Sequence, residues 1–235
     1  MRKEPFTVGN YVHVVKRGAR GTLIVRNLSE KRRFLKMLRY LNSQEIDENW
    51  ERTVSDSSIT LYDWPPQWHT QRPLVKILGY CLMPNHFHLL LKEIEMNGIS
   101  KFVKKISESM TLFNNNKYGE HGSIFQGAYR ARTIHNNEYL RYVAAYILVK
   151  NPFELYAGGL REAQKNFEDA YKFSIEYEFC SLVPYAGNTV SQIIEKDILG
   201  EIFQSTDDFK TCARDMISAF VSRNAETDLT RLYLE

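Results

Sequence analysis

The sequence predicts an α+β fold: an antiparallel sheet with helices packed on one face, followed by a helical C-terminal extension. Two observations carry this. Short stretches with alternating or continuous apolar character interleave with longer stretches of helical apolar spacing, in the order strand, helix, strand, strand, helix, strand, helix. The charge also divides along the chain. Residues 156–235 hold 8 Lys/Arg against 14 Asp/Glu, and residues 1–155 hold the remaining 23 basic and 14 acidic residues of a chain whose net charge is +3. The division predicts a basic domain over 1–155 and an acidic, mostly helical extension over 156–235. It assigns any polyanion binding to the first.

The elements follow in order. Thr7–Lys16 alternates and is rich in Val and Tyr, so it predicts a strand, closed by the turn Arg17-Gly18-Ala19-Arg20-Gly21. Ser29 can cap a helix whose stripe is Phe34, Leu35, Leu38 and Leu41. Residues 43–70 form a polar connection with a short strand at Ser58–Tyr62, broken at Trp64-Pro65-Pro66. Val75–Met83 and Asn85–Lys92 form two strands joined at Pro84-Asn85. Ile99, Val103, Ile106, Met110 and Phe113 make one stripe of a helix over Ser100–Tyr118. Ala128–Ile134 is a strand, and Asn136 caps a helix over Asn137–Val149 that stops at Asn151-Pro152. In the extension, Ile193, Ile194, Ile198, Leu199, Phe203 and Phe209 suggest packed helices.

With 43% hydrophobic residues in 235, the chain can bury a substantial core. No apolar run approaches the roughly 20 residues that span a bilayer, so no membrane is expected. Met1–Phe6 turns polar too soon for a signal peptide. Cys81, Cys180 and Cys212 are odd in number and widely spaced, as in reduced thiols of a cytoplasmic protein.

The chemistry concentrates in Met83-Pro84-Asn85-His86-Phe87-His88-Leu89-Leu90-Leu91. Alternation along a strand sends His86 and His88 to one face and Phe87 to the other. Two imidazoles side by side on a rigid strand form half of a divalent-metal site, or else two polar positions on an open sheet face. Downstream, Tyr139, Tyr142 and Tyr146 share roughly one helix face, either as a core stripe or with one hydroxyl reaching the metal site as a nucleophile.

The histidine–hydrophobe–histidine motif resembles that of the single-tyrosine HUH transposases, the IS200-like group. The opening strand Tyr11-Val12-His13-Val14-Val15-Lys16-Arg17-Gly18, the segments Phe113–Gly119 and Ile124-Phe125-Gln126-Gly127, and Tyr139–Ile147 running into Asn151-Pro152 are similar to that family in the same order. The likeness covers about residues 6–155 and is nearest in look to the REP-associated branch. It implies a ferredoxin-like HUH endonuclease sheet, with Tyr146 as nucleophile and His86 and His88 as ligands of Mg²⁺ or Mn²⁺. The implied reaction cleaves single-stranded DNA beside a hairpin, leaving a 5′-phosphotyrosine link and a free 3′-hydroxyl, by a monomer or a homodimer. The family's third ligand lies about one turn after the tyrosine, often Asn or Gln. That position is Lys150, which cannot ligate while protonated, so Asn151 is the candidate.

Arg17, Arg20, Arg26, Lys101, Lys104, Lys105, Arg130 and Arg132 are the candidate phosphate contacts. Tyr118, Phe125 and Tyr129 are candidates for base stacking or for burial. His13 is expected beside the His-x-His strand, as a hydrogen-bonded structural histidine or a support to the site. The rival readings are a DNA-hairpin-binding protein that has lost its chemistry, which Lys150 favours, an RNA-binding domain, and a hydrolytic metallonuclease.

Overall fold

A computed structural model describes residues 6–55, 60, 62–187 and 189–226. Four strands, β1 (Tyr11–Arg17), β2 (Val75–Leu82), β3 (His86–Glu93) and β4 (Arg130–Ile134), form one sheet in the order β2-β3-β1-β4. Every neighbouring pair is antiparallel. The central strands β1 and β3 are largely buried on both faces, as expected for a sheet covered on both sides.

On one face lie α1 (Leu28–Tyr40) and α3 (Gly98–Tyr118), whose Phe34, Leu38, Phe102 and Ile106 pack with Val12, Val14, Phe87 and Leu89. The other face is covered too, which departs from the one-sided layer expected. There α4 (Asn137–Ala145) and its continuation bury Leu140, Ala144 and Ile147 against Leu90 and Ile134. The C-terminal helices complete this second core: α6 (Gly159–Lys165), α7 (Phe167–Glu176), α8 (Val183–Ala186), α9 (Ile198–Ile202) and α10 (Thr206–Glu226) follow α5 (Asn151–Glu154), and supply Ala163, Phe167, Tyr185, Leu199, Phe209 and Ile217. A short helix, α2 (Trp50–Thr53), sits in the long connection before β2.

Several boundaries differ for local reasons. The cap of α1 is Asn27, not Ser29: Asn27 Oδ1 accepts the Glu30 N–H at 3.1 Å, and Ser29 Oγ donates to that same oxygen. Glu30 then accepts the Arg26 N–H at 2.6 Å, closing the turn reciprocally. β4 starts at Arg130 because Gly127, at φ +58°, turns the chain before it. Asn136 caps α4 as expected, accepting the Tyr139 N–H at 2.7 Å. The strand expected at Ser58–Tyr62 falls largely outside the described residues, and Thr60 and Tyr62 are not in a strand. Ile193 and Ile194 precede α9 in irregular chain.

Asp197 fastens the C-terminal region to the sheet. Its carboxylate accepts from Tyr11 Oη on β1 at 2.5 Å, Lys76 Nζ on β2 at 2.9 Å and Lys92 Nζ on β3 at 3.0 Å. Burial alone would raise its pKa, but these donors and the Ile198 N–H hold it well below the usual carboxylate range.

Candidate active site

Antiparallel register decides which side chains meet. Arg17 lies opposite His86, Val15 opposite His88, and His13 opposite Leu90. On the other side of β1, Arg130 pairs with Val15 and Arg132 with His13. Directly opposed residues point to the same face. The second face of the sheet therefore carries His13, His86, His88, Arg17, Arg130 and Arg132 together.

His86 and His88 have ring centroids 4.9 Å apart in an edge-on arrangement. Each Nδ1 is engaged. His86 Nδ1 lies 2.7 Å from Asn85 Oδ1, an acceptor, so Nδ1 carries the proton and Nε2 keeps its lone pair. His88 Nδ1 lies 2.9 Å from His13 Nε2, and the two rings stack at 5.2 Å. Burial holds both of these imidazoles neutral, His13 with a pKa near 3, pushed down further by Arg132, and His88 well below its ordinary value. Neutral imidazole is the ligating form.

Tyr146 stands over this pair, with its ring 5.8 Å from that of His88 and 6.0 Å from that of His13. It begins a π-helical turn, Tyr146–Lys150, in which the Asn151 N–H donates to the Tyr146 carbonyl instead of the Ile147 carbonyl. Single π turns inside α-helices occur frequently at functional sites. The extra residue brings position 151 back beneath Tyr146, so residues 150 and 151 both follow the tyrosine on one side of the helix. An ideal α-helix would have turned Asn151 away.

Lys150 Nζ donates to Tyr146 Oη at 3.3 Å, pairs with Glu154 at 2.7 Å, and lies 4.7 Å from the Tyr146 ring centroid and 5.0 Å from that of Phe220 on α10. Asn151 is 1% exposed, and neither its Oδ1 nor its Nδ2 has a hydrogen-bond partner among the described residues. Tyr139, Tyr142 and Tyr146 form a stacked series at 6.3 and 6.5 Å, and the Arg132 guanidinium sits 4.9 Å over Tyr139.

Among the described residues no three His, Cys, Asp or Glu side chains come together to hold a metal. Two imidazole nitrogens and one buried amide oxygen are donor types that suit a divalent ion. Such a set leaves further positions for water and phosphate oxygens.

The remaining candidates separate. Arg20 is exposed in the turn Ala19–Gly21, at φ +56°. Gly18 holds that turn to the start of β3, donating its N–H to the Asn85 carbonyl at 2.7 Å. A side chain there would collide with the Thr22 carbonyl at 2.1 Å. Lys101, Lys104 and Lys105 lie on α3, across the sheet from the histidines. Lys105 donates to the Ser43 carbonyl, and Lys104 pairs loosely with Glu108. Arg26 pairs with Glu120 at 2.6 Å and covers the ring of Tyr118. Phe125 is buried in the first core, and Tyr129 shares a 2.8 Å hydrogen bond with Ser100. The three cysteines are free thiols.

The sequence pattern missed Glu154 and Phe220 as neighbours of the tyrosine. The i, i+4 spacing from Lys150 and the i, i+8 spacing from Tyr146 signal Glu154, whereas nothing in the sequence signals Phe220.

The family model described as "Transposase IS200 like" matches residues 69–150. A solved structure described as a REP-associated tyrosine transposase bound to a REP hairpin is similar over 84% of this chain and 92% of its own. Its sequence identity is 16% and its TM-score 0.45. No curated protein sequence matches the chain. No helix among the described residues is long and apolar enough to cross a membrane. The matched segment runs from the approach to β2 through the π turn, with the His-x-His strand and the tyrosine helix inside it, and is similar to the IS200-like transposases.

Proposed function

We propose that this chain cleaves and rejoins single-stranded DNA beside a hairpin, with Tyr146 as nucleophile. In this reading residues 1–155 carry the chemistry and residues 156–235 form an extension that buttresses it. The observation that carries the reading is the placement of Tyr146 over His88 and His13, at 5.8 and 6.0 Å between ring centroids.

A phenol with a pKa near 10 is a weak nucleophile at neutral pH. The resident ion, Mg²⁺ or Mn²⁺, would polarise the scissile phosphate and stabilise its developing charge. His86 and His88 would hold the ion through Nε2 and Asn151 through its amide oxygen. His13 fixes the tautomer and orientation of His88.

Arg17, Arg130 and Arg132 share the sheet face of the histidines and Arg20 is exposed in the turn after β1, and in this reading the four would hold phosphates flanking the cleaved bond. Lys101, Lys104 and Lys105 would meet only DNA that reaches round to the far side. In cleavage, Tyr146 Oη bonds to phosphorus, the bond from phosphorus to the 3′ oxygen breaks, and the phenolic proton ends on that oxygen. Rejoining runs the same step backwards, so no water is consumed.

The test incubates wild-type protein with Mn²⁺ and labelled single-stranded DNA from the gene's own borders, hairpins included. The expected result is a denaturant-resistant adduct that EDTA and Tyr146→Phe both abolish. Hairpin binding without an adduct under any divalent ion would leave a binding protein of the same fold.

A further inference from the structure

We propose that Lys150 is a catalytic residue of this reaction: its ammonium donates a hydrogen bond to the Tyr146 oxygen as charge develops there. The inference rests on Tyr146 being the nucleophile. The residue at this position cannot ligate a metal, and the structure gives it a different place, at the reacting oxygen itself.

Four contacts define that place. Nζ donates to Tyr146 Oη at 3.3 Å and to a Glu154 carboxylate oxygen at 2.7 Å. It also lies over two aromatic faces, 4.7 Å from the centroid of Tyr146 and 5.0 Å from that of Phe220. The side chain is 1% exposed. A lysine buried only to fill space would be replaced at no cost by an apolar residue, because desolvating an ammonium offsets what its ion pair returns. Here the charge is retained, with Glu154 compensating it and the rings of Tyr146 and Phe220 favouring a cation.

The chemistry needs a donor at this oxygen in both directions. In cleavage, Oη gives up its proton as its bond to phosphorus forms. In rejoining, the 3′-hydroxyl attacks, the bond from phosphorus to Oη breaks, and Oη departs with its electron pair before the proton returns to it. A hydrogen bond donated from Nζ in a water-poor site stabilises that oxygen at both moments.

The π turn permits this arrangement. It sets residues 150 and 151 both behind the tyrosine, so a lysine serves the oxygen while Asn151 remains available to an ion.

The experiment uses the full chain, Mn²⁺ and the border DNA described above. It measures the adduct-forming rate at saturating DNA, and DNA affinity separately. Lys150→Met is expected to lower the rate at least about 100-fold, the usual cost of removing one preorganised donor at a developing charge, while DNA affinity stays within about twofold. Lys150→Arg, which restores a cation, is expected to recover a tenth or more of the rate. Glu154→Gln, which leaves Lys150 in place with a weaker anchor, is expected to lower the rate less than Lys150→Met and so covers the case in which that variant does not fold. If folded Lys150→Met forms adduct at the wild-type rate, or Lys150→Arg is as slow as Lys150→Met, the assignment of Lys150 fails while Tyr146 stands. If Lys150→Met does not fold, a Glu154→Gln rate equal to wild type overturns the assignment. No adduct with wild type overturns the nucleophile and Lys150 together.

Discussion

With His88 ligating through Nε2 its proton sits on Nδ1, and replacing His13 by Leu removes the ring nitrogen that would accept from it at 2.9 Å, while keeping an apolar side chain in a site that is 4% exposed. Two costs follow from that geometry. His88 is 1% exposed, so its Nδ1–H is left buried without a partner, which costs about 1–3 kcal/mol of stability. The His88 ring also loses the contact that fixes its tautomer, and losing such a partner of a metal-ligating histidine typically costs about 10–100-fold in metal affinity. Mn²⁺ binding, followed by the loss of the free-ion electron paramagnetic resonance signal, therefore weakens about 10–100-fold in His13→Leu. His13→Gln, which can still accept a hydrogen bond, recovers much of it. Equal Mn²⁺ affinity in wild type and a folded His13→Leu would mean that His88 needs no partner to ligate.

Three further outcomes follow from contacts away from the histidines. Asp197→Asn keeps the shape but removes the charge that Lys76 and Lys92 face, so thermal unfolding begins at lower temperature and limited proteolysis cuts first within the C-terminal helices. An unchanged melting temperature would show that Asp197 is not the fastening. Glu30 is held near pKa 2: burial works against this, but donors from Lys117, Tyr118 and the Arg26 N–H outweigh it, against an ordinary value of 4.5. A depressed carboxylate contributes stability above its unfolded pKa and loses it as pH falls through the folded one. Glu30→Gln is thus expected to cost about 1–2 kcal/mol at pH 7, discounted for the half-exposed Lys117, and the difference should shrink between about pH 4.5 and 2 in urea titrations. A difference that stays constant across that range would contradict the ion cluster. Phe220→Ala removes an aromatic face from beside Tyr146 and Lys150, so slower adduct formation at unchanged DNA affinity is the expected result; an equal or faster rate would show that the ring only covers the tyrosine.

What the sequence made legible was local. The shared face of His86 and His88 follows from strand alternation, the cap at Asn136 and the end of the tyrosine helix near Pro152 follow from residue type, and the order of elements follows from periodicity. What it hid was long-range or irregular. The sequence sets His13 on a strand beside the His-x-His strand, but that it meets His88 in particular is decided by the β1–β3 register, which joins residues 75 apart and which no local pattern sets. The π turn has no signature in Tyr146–Lys150, yet it brings the Asn151 backbone under the tyrosine beside Lys150. Lys101, Lys104 and Lys105 look equivalent to Arg130 and Arg132 as charges, and only the packing of α3 on the opposite face separates them. Phe220 reaches Tyr146 because the acidic helices close the second core, a docking that their composition does not announce.

The central claim is that Tyr146 forms the covalent bond to DNA. The most direct measurement digests the trapped protein–DNA product with trypsin and nuclease and locates the modified residue by mass spectrometry. With Tyr146 as nucleophile, a 5′-phosphonucleotide is expected on Tyr146 alone, formed only with a divalent ion present. A nucleotide on Tyr139, on Tyr142 or on any residue outside the π turn would contradict it.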